Sequence, residues 1–142
     1  MRLVFALAVS LALAVSFPKA LCPGESSQPR VFPVSRHSGT PVRLEVLATA
    51  YTAFDEGMDG KGITYTGTAA TEHRTVAVDP AAIPLGSSVF IPAFADSPNG
   101  GWFLAEDTGS AIKGLRIDIF IPDRAEALAF GVKPLEVYVV PR

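Results

Sequence analysis

The chain has 142 residues, 49% of them hydrophobic, and carries 12 Lys and Arg against 14 Asp and Glu for a formal net charge of −2. That length suits one small domain plus an export segment and leaves too little apolar material for a second core, while the charge gives no electrostatic ground for a nucleic-acid partner. Twelve Pro and twelve Gly argue against a helix bundle and for a turn-rich, mostly β chain, and the single cysteine, Cys22, excludes an internal disulfide.

In chain order, Arg2 and the apolar run from Leu3 to Val15 form a signal peptide, with small residues up to Ala20 for cleavage. The expected domain scheme is a signal peptide at 1–20, a flexible linker at 21–41 and a folded domain at 42–142. The protein is therefore expected to be exported, to the periplasm, cell wall or extracellular space, with no membrane span once the signal is removed. The linker is rich in Ser, Pro, Gly and Arg, and His37 within it reads as solvated.

The folded part opens with a strand, Leu44 to Tyr51, that puts Thr49 and Tyr51 on the face shared by Leu47. A Gly- and Thr-rich stretch follows, from Asp55 to Thr71. It lacks the Lys-[Ser/Thr] ending of a phosphate loop and the spacing and closing Glu of a calcium loop, so it reads as solvated. His73 has no nearby His or Cys, and no metal site is assigned. Further strands are expected at Thr75–Pro80, which ends in an acid, and at Ser88–Pro92, Trp102–Glu106, Arg116–Ile121 and Leu135–Val140. A short helix is expected from a capping box at Asp123 to Glu126, stopped by Gly131. Six short strands with one or two short helices suggest a small closed barrel.

The organising stretch is Glu106 to Phe120, where Asp107 and Asp118 stand 118 − 107 = 11 positions apart across a loop holding Gly109, Lys113 and Gly114. Strand, tight loop and returning strand can bring both carboxyl groups to one place, to share a proton or divide acid and base work. Asp107-Thr108-Gly109-Ser110 resembles the active-site motif of aspartic proteases. With one copy present, that reading requires a retropepsin-like homodimer using Asp107.

A longer resemblance runs from Ala48 to Val140. The pieces are Ala48-Thr49-Ala50-Tyr51, Thr64, Gly67, Val76-Ala77-Val78-Asp79-Pro80 and Ile83-Pro84-Leu85-Gly86. They continue with Ala105 to Gly109, Ala111-Ile112-Lys113-Gly114, Arg116-Ile117-Asp118-Ile119, Gly131 and Val137-Tyr138-Val139. The chain resembles the three-aspartate (3D) domain of bacterial cell-wall proteins, related to the catalytic barrel of membrane-bound lytic transglycosylase A. In one departure, Gly109-Ser110 stands where the family usually has Gly-Gly; a positive φ would strain Ser110, whereas a need for smallness alone would not.

The resemblance implies a six-stranded double-psi β-barrel and a lytic transglycosylase acting on the glycosidic bond between N-acetylmuramic acid and N-acetylglucosamine, as a monomer on peptidoglycan glycan strands. It implies Asp118 as the acid/base, tuned by Asp107 and Asp79, with Thr49, Tyr51, Thr64, Gly109 and Lys113 as substrate-binding residues and no cofactor. The alternative from the same barrel type is an expansin-like module that binds or loosens the wall without cutting it.

Overall fold

The computed structural model describes residues 39–55 and 60–142. The expected signal peptide, and the linker as far as residue 38, lie outside the described residues, as does the segment 56–59.

Among the described residues six strands form: β1 Val42–Tyr51, β2 Thr75–Val78, β3 Ser88–Phe90, β4 Trp102–Asp107, β5 Arg116–Phe120 and β6 Lys133–Val140. One α-helix, α1 (Arg124–Phe130), joins β5 to β6, and a 3-10 turn at Pro92–Phe94 lies between β3 and β4. The strands close in the order β1-β5-β2-β4-β3-β6, with β1–β5 and β2–β4 parallel and every other pair antiparallel. This closed, six-stranded, mixed barrel agrees with the expected architecture.

The period-2 pattern of the strands builds the core. Val46 and Ala48 on β1, Val76 and Val78 on β2, and Ile117 and Ile119 on β5 point inward, none more than 3% exposed. Burying a Val or Ile side chain contributes about 1.5–3 kcal/mol, so this alternation decides which face of each strand turns in. Their neighbours Thr49, Tyr51, Ala77, Asp118 and Phe120 therefore share the outer face. There Tyr51, Ala77 and Phe120 pack as a second small cluster, with Tyr51 edge-on to Phe120 at 5.4 Å between ring centroids.

Strand boundaries differ from expectation by a residue or two at several ends: β1 begins at Val42, β2 ends at Val78, β4 runs on to Asp107 and β5 stops at Phe120, while the shifts of β3 and β6 have a visible local cause. The third strand ends at Phe90, because the Ile91 N–H turns to the Gly101 carbonyl and Pro92 opens the 3-10 turn. The last strand begins at Lys133, with Pro134 opposite Leu47 near the strand start, where a missing N–H is tolerated. The helix follows its caps: Asp123 Oδ1 accepts from the Glu126 N–H at 2.9 Å, and Gly131 ends it at φ 64°. Among the described residues no helix is long and apolar enough to cross a membrane.

The feature that positions the site is a crossing. Strand β2 lies between β4 and β5, parallel to the first and antiparallel to the second. The loop 108–115 that joins β4 to β5 must therefore pass over the C-terminal end of β2, where Asp79 stands.

Candidate active site

Four residues line up across four adjacent strands. Thr49 on β1 pairs with Asp118 on β5, Asp118 with Ala77 on β2, and Ala77 with Asp107 on β4. Paired residues share a face, so all four side chains leave the outer side of the barrel. Strands about 4.8 Å apart put roughly 10 Å between the Cα atoms of Asp118 and Asp107, with only the methyl of Ala77 between them.

Asp107 reaches that face through a β-bulge. The β2–β4 register runs Val76 to Ala105 and then Ala77 to Asp107, which leaves Glu106 as the extra residue. Without it Ala77 would pair with Glu106, and Asp107 would turn inward as Ala105 does. The displaced Glu106 is buried but partnered: Arg74 Nη2 donates to Oε1 at 2.5 Å and Thr75 Oγ1 to Oε2 at 3.1 Å. Removing Arg74 would strand a buried charge, which is costly.

Asp107 is itself buried and receives three hydrogen bonds. Tyr51 Oη donates to Oδ2 at 2.7 Å, while the backbone N–H groups of Tyr65 and Thr108 each donate to Oδ1 at 2.9 Å. Burial first, then the bond to Asp107, push the Tyr51 phenol far above its ordinary pKa, so it stays a donor. The Tyr65 N–H is delivered by a tight turn whose hub is buried Thr64. The Thr64 hydroxyl meets those of Thr66 and Thr68 at 3.1 and 2.9 Å, and Gly67 takes φ 84°. Thr64 thus shapes the support of Asp107 and does not line the cleft.

Asp118 has a different environment. It is half-buried and receives one side-chain hydrogen bond, from Thr49 Oγ1 at 2.7 Å. Burial raises its pKa above the usual carboxylate value; the Thr49 bond opposes this, the charges of Asp55 and Asp107 add to it, and Arg116 subtracts. One barrel face therefore holds a carboxyl saturated by donors and another biased toward its protonated form.

Both carboxyls line a cleft of about 200 Å³, with Ala77 between them and Ala50, Tyr51, Asp55 and the loop from Thr108 to Ile112 completing its lining. Gly109 is required by close approach: a Cβ there would stand 2.9 Å from Ile112 Cγ1. Ser110 lines the cleft with no positive φ, so the serine that replaces the usual glycine is not strained there. Among the described residues no group of three or more His, Cys, Asp or Glu is arranged to hold a metal ion.

Asp79 and Lys113 are not brought into the cleft lining. Asp79 accepts from the Gly114 N–H at 2.7 Å and the Ala81 N–H at 3.1 Å, which hold its carboxyl below the usual range, and Lys113 adds to that effect. The third aspartate thus pins the crossing loop to the end of β2. The sequence reading also missed Asp55, taken as part of a solvated loop, and Ala77, which carries no chemical signal of its own. Alternation along β2 was the available clue that Ala77 shares the face of Asp118.

Comparison with known proteins agrees with this arrangement at the level of family. The chain is 42% identical over 100 residues to the cell wall-binding protein YocH of Bacillus subtilis (strain 168), covering 68% of this chain and 32% of that one. It is 38% identical over 100 residues to the putative cell wall shaping protein YabE of the same organism, covering 68% and 23%. The chain thus spans less than a third of either relative. Among solved structures, MltA from E. coli is similar at 21% identity and TM-score 0.44, over 56% of this chain and 27% of that one. The lytic transglycosylase LtgG of Burkholderia pseudomallei is similar at 33% identity and TM-score 0.39, over 54% and 25%. Residues 74–141, which hold Asp79, Asp107, Asp118 and the crossing loop, match the 3D domain, so this chain carries a 3D domain.

Proposed function

We propose that this protein is a lytic transglycosylase that cleaves peptidoglycan between N-acetylmuramic acid and N-acetylglucosamine, with Asp118 as its single acid/base. The observation that carries the reading is the Asp118 carboxyl, half-buried on the cleft wall and held above its ordinary pKa by burial. Breaking a glycosidic bond requires a proton for the leaving oxygen and stabilisation of a cationic sugar. Asp118 gives its proton to the leaving O4 of the neighbouring sugar as the C1–O4 bond of the muramic residue breaks. The resulting carboxylate takes the proton of the muramic C6 hydroxyl as that oxygen bonds to C1, closing an anhydro ring and restoring the acid. Water takes no part as nucleophile.

In this reading Thr49 orients the Asp118 carboxyl, and Asp107 with Tyr51 holds the cleft wall. Gly109 lets the loop lie close to the sugar. Lys113 and Thr64 act at a distance from the cleft, the first beside Asp79 and the second beneath Asp107. The substrate is the glycan strand, and no cofactor enters the scheme. The names of the wall-binding and wall-shaping relatives support an exported, wall-associated protein. A signal peptide at 1–20, a linker at 21–41 and a monomeric barrel from 42 onward belong to the same proposal.

The printed name of YocH favours a second reading, a barrel that binds the wall without cutting it. Digestion of purified peptidoglycan, read by mass spectrometry for anhydro-muramic ends, separates the two. Such ends are expected from the parent, and Asp118→Asn should lower their formation by at least ~100-fold, the scale of lost general acid catalysis. Full activity in Asp118→Asn would sink the mechanism; sedimentation with walls and no anhydro ends from the parent would favour the binding module.

A further inference from the structure

The saturation of Asp107 raises a question that the aspartate motif does not answer. A transition state with a cationic sugar calls for a carboxylate whose charge faces the cleft, yet Asp107 is buried beneath three donors. Asp55 lies on the segment that follows β1 and lines the same cleft as Asp118. Its Oδ2 accepts the Thr52 N–H at 2.6 Å, which fixes the side chain. Its other oxygen has Arg124 at 3.9 Å, on a side chain 70% exposed, too loose and wet a pair to neutralise it. The Asp55 side chain is itself 39% exposed, so its charge is open to a ligand.

We infer that Asp55 is the second carboxylate of the site, placed against the sugar to stabilise the positive charge that develops as Asp118 gives up its proton. The inference rests on the proposed glycan cleavage and deepens it. Asp55 forms no bond, and no proton passes through it. The groups facing Asp118 are Thr49 and Tyr51 from β1, Asp107 from β4, Arg116 from its own strand and Asp55 from the loop. Of the acids, Asp55 stands ahead of Asp107 in raising the Asp118 pKa.

The test is Asp55→Asn, because an Asn oxygen still accepts the Thr52 N–H and keeps the loop turn. Loss of the charge should lower kcat on purified peptidoglycan by about 10–100-fold, with a smaller change in KM, and shift the pH optimum downward. Asp55→Glu should recover part of kcat. In parallel, carbon-13 carboxyl NMR should show the Asp118 midpoint falling in Asp55→Asn. An unchanged kcat together with an unchanged Asp118 midpoint would overturn the inference and leave Asp55 a turn residue. If the parent protein shows no lytic activity, the proposed reaction fails, while the NMR midpoint still decides whether Asp55 acts on Asp118.

Discussion

At the scale of single residues, the site depends on what is small as much as on what is charged. Ala77 sits between Asp118 and Asp107, 3% exposed and packed against Tyr51 and Phe120. Any larger side chain there must enter the cleft or press on the two rings. Ala77→Val suits a strand by propensity, yet it should cost about 1–3 kcal/mol by overpacking and raise KM for glycan by about ten-fold, a loss of contacts shared by ground and transition states. Chemical denaturation and steady-state kinetics on the same preparation check both. A variant with unchanged KM would show that Ala77 does not meet the substrate.

The deciding element is the loop 108–115, whose path is forced by strand order. It carries the wall from Thr108 to Ile112 and is fastened from below by Asp79, through the Gly114 N–H, and closed on itself by the Ile112 N–H to the Gly109 carbonyl at 3.0 Å. Its ends are tied by the Thr108 N–H to Asp107 and by the Leu47 N–H to the Leu115 carbonyl at 2.9 Å, so Asp79 is the fastening of the stretch between them to β2. Asp79→Ala removes the bonds to Gly114 and Ala81 without touching the cleft. Hydrogen exchange at the Gly114 amide should accelerate by about ten-fold or more. Lytic activity should fall less than in Asp118→Asn, because the acid itself is intact. Unchanged exchange at Gly114 would mean that Asp79 is not the fastening.

For the whole molecule, the two aspartates with shifted pKa values pull stability in opposite directions with pH. Asp79 is lowered by its backbone bonds, so its contribution is present above its ordinary value of 3.8 and is lost as pH falls through the folded value. Asp118 is raised by burial above the same 3.8, so its favourable contribution holds below that value and is lost as pH rises through the folded one. Above that window the folded domain carries the cost of an ionised, half-buried carboxylate. Asp118→Asn should therefore raise Tm by a few degrees near pH ~7 and leave it nearly unchanged near pH ~3, measured by thermal unfolding at both. Equal gains at the two pH values would trace the effect to packing rather than to charge.

Much of this architecture is written in local order. Alternation in Val76 to Val78, Arg116 to Phe120 and Val137 to Val140 sets which faces turn inward, because apolar burial at a period of two leaves a strand one choice. Asp123, Glu126 and Gly131 bound the helix for equally local reasons, and Asp107 and Asp118 were legible as a pair across one glycine-bearing loop. Three features belong to the tertiary structure. The bulge at Glu106 turns Asp107 outward, and no periodicity in Trp102 to Asp107 announces an extra residue whose partner, Arg74, lies 32 positions away. Asp79 looked like a member of the acidic site, but the strand order carries the loop over β2 and binds that carboxyl to Gly114. Asp55 reaches the cleft on the turn just after β1, held by the Thr52 N–H, at a position that no repeating pattern marks. Local propensity and hydrophobic period act over a few residues and settle elements and faces; the closure of the barrel and the crossing of its loops decide which carboxyls meet.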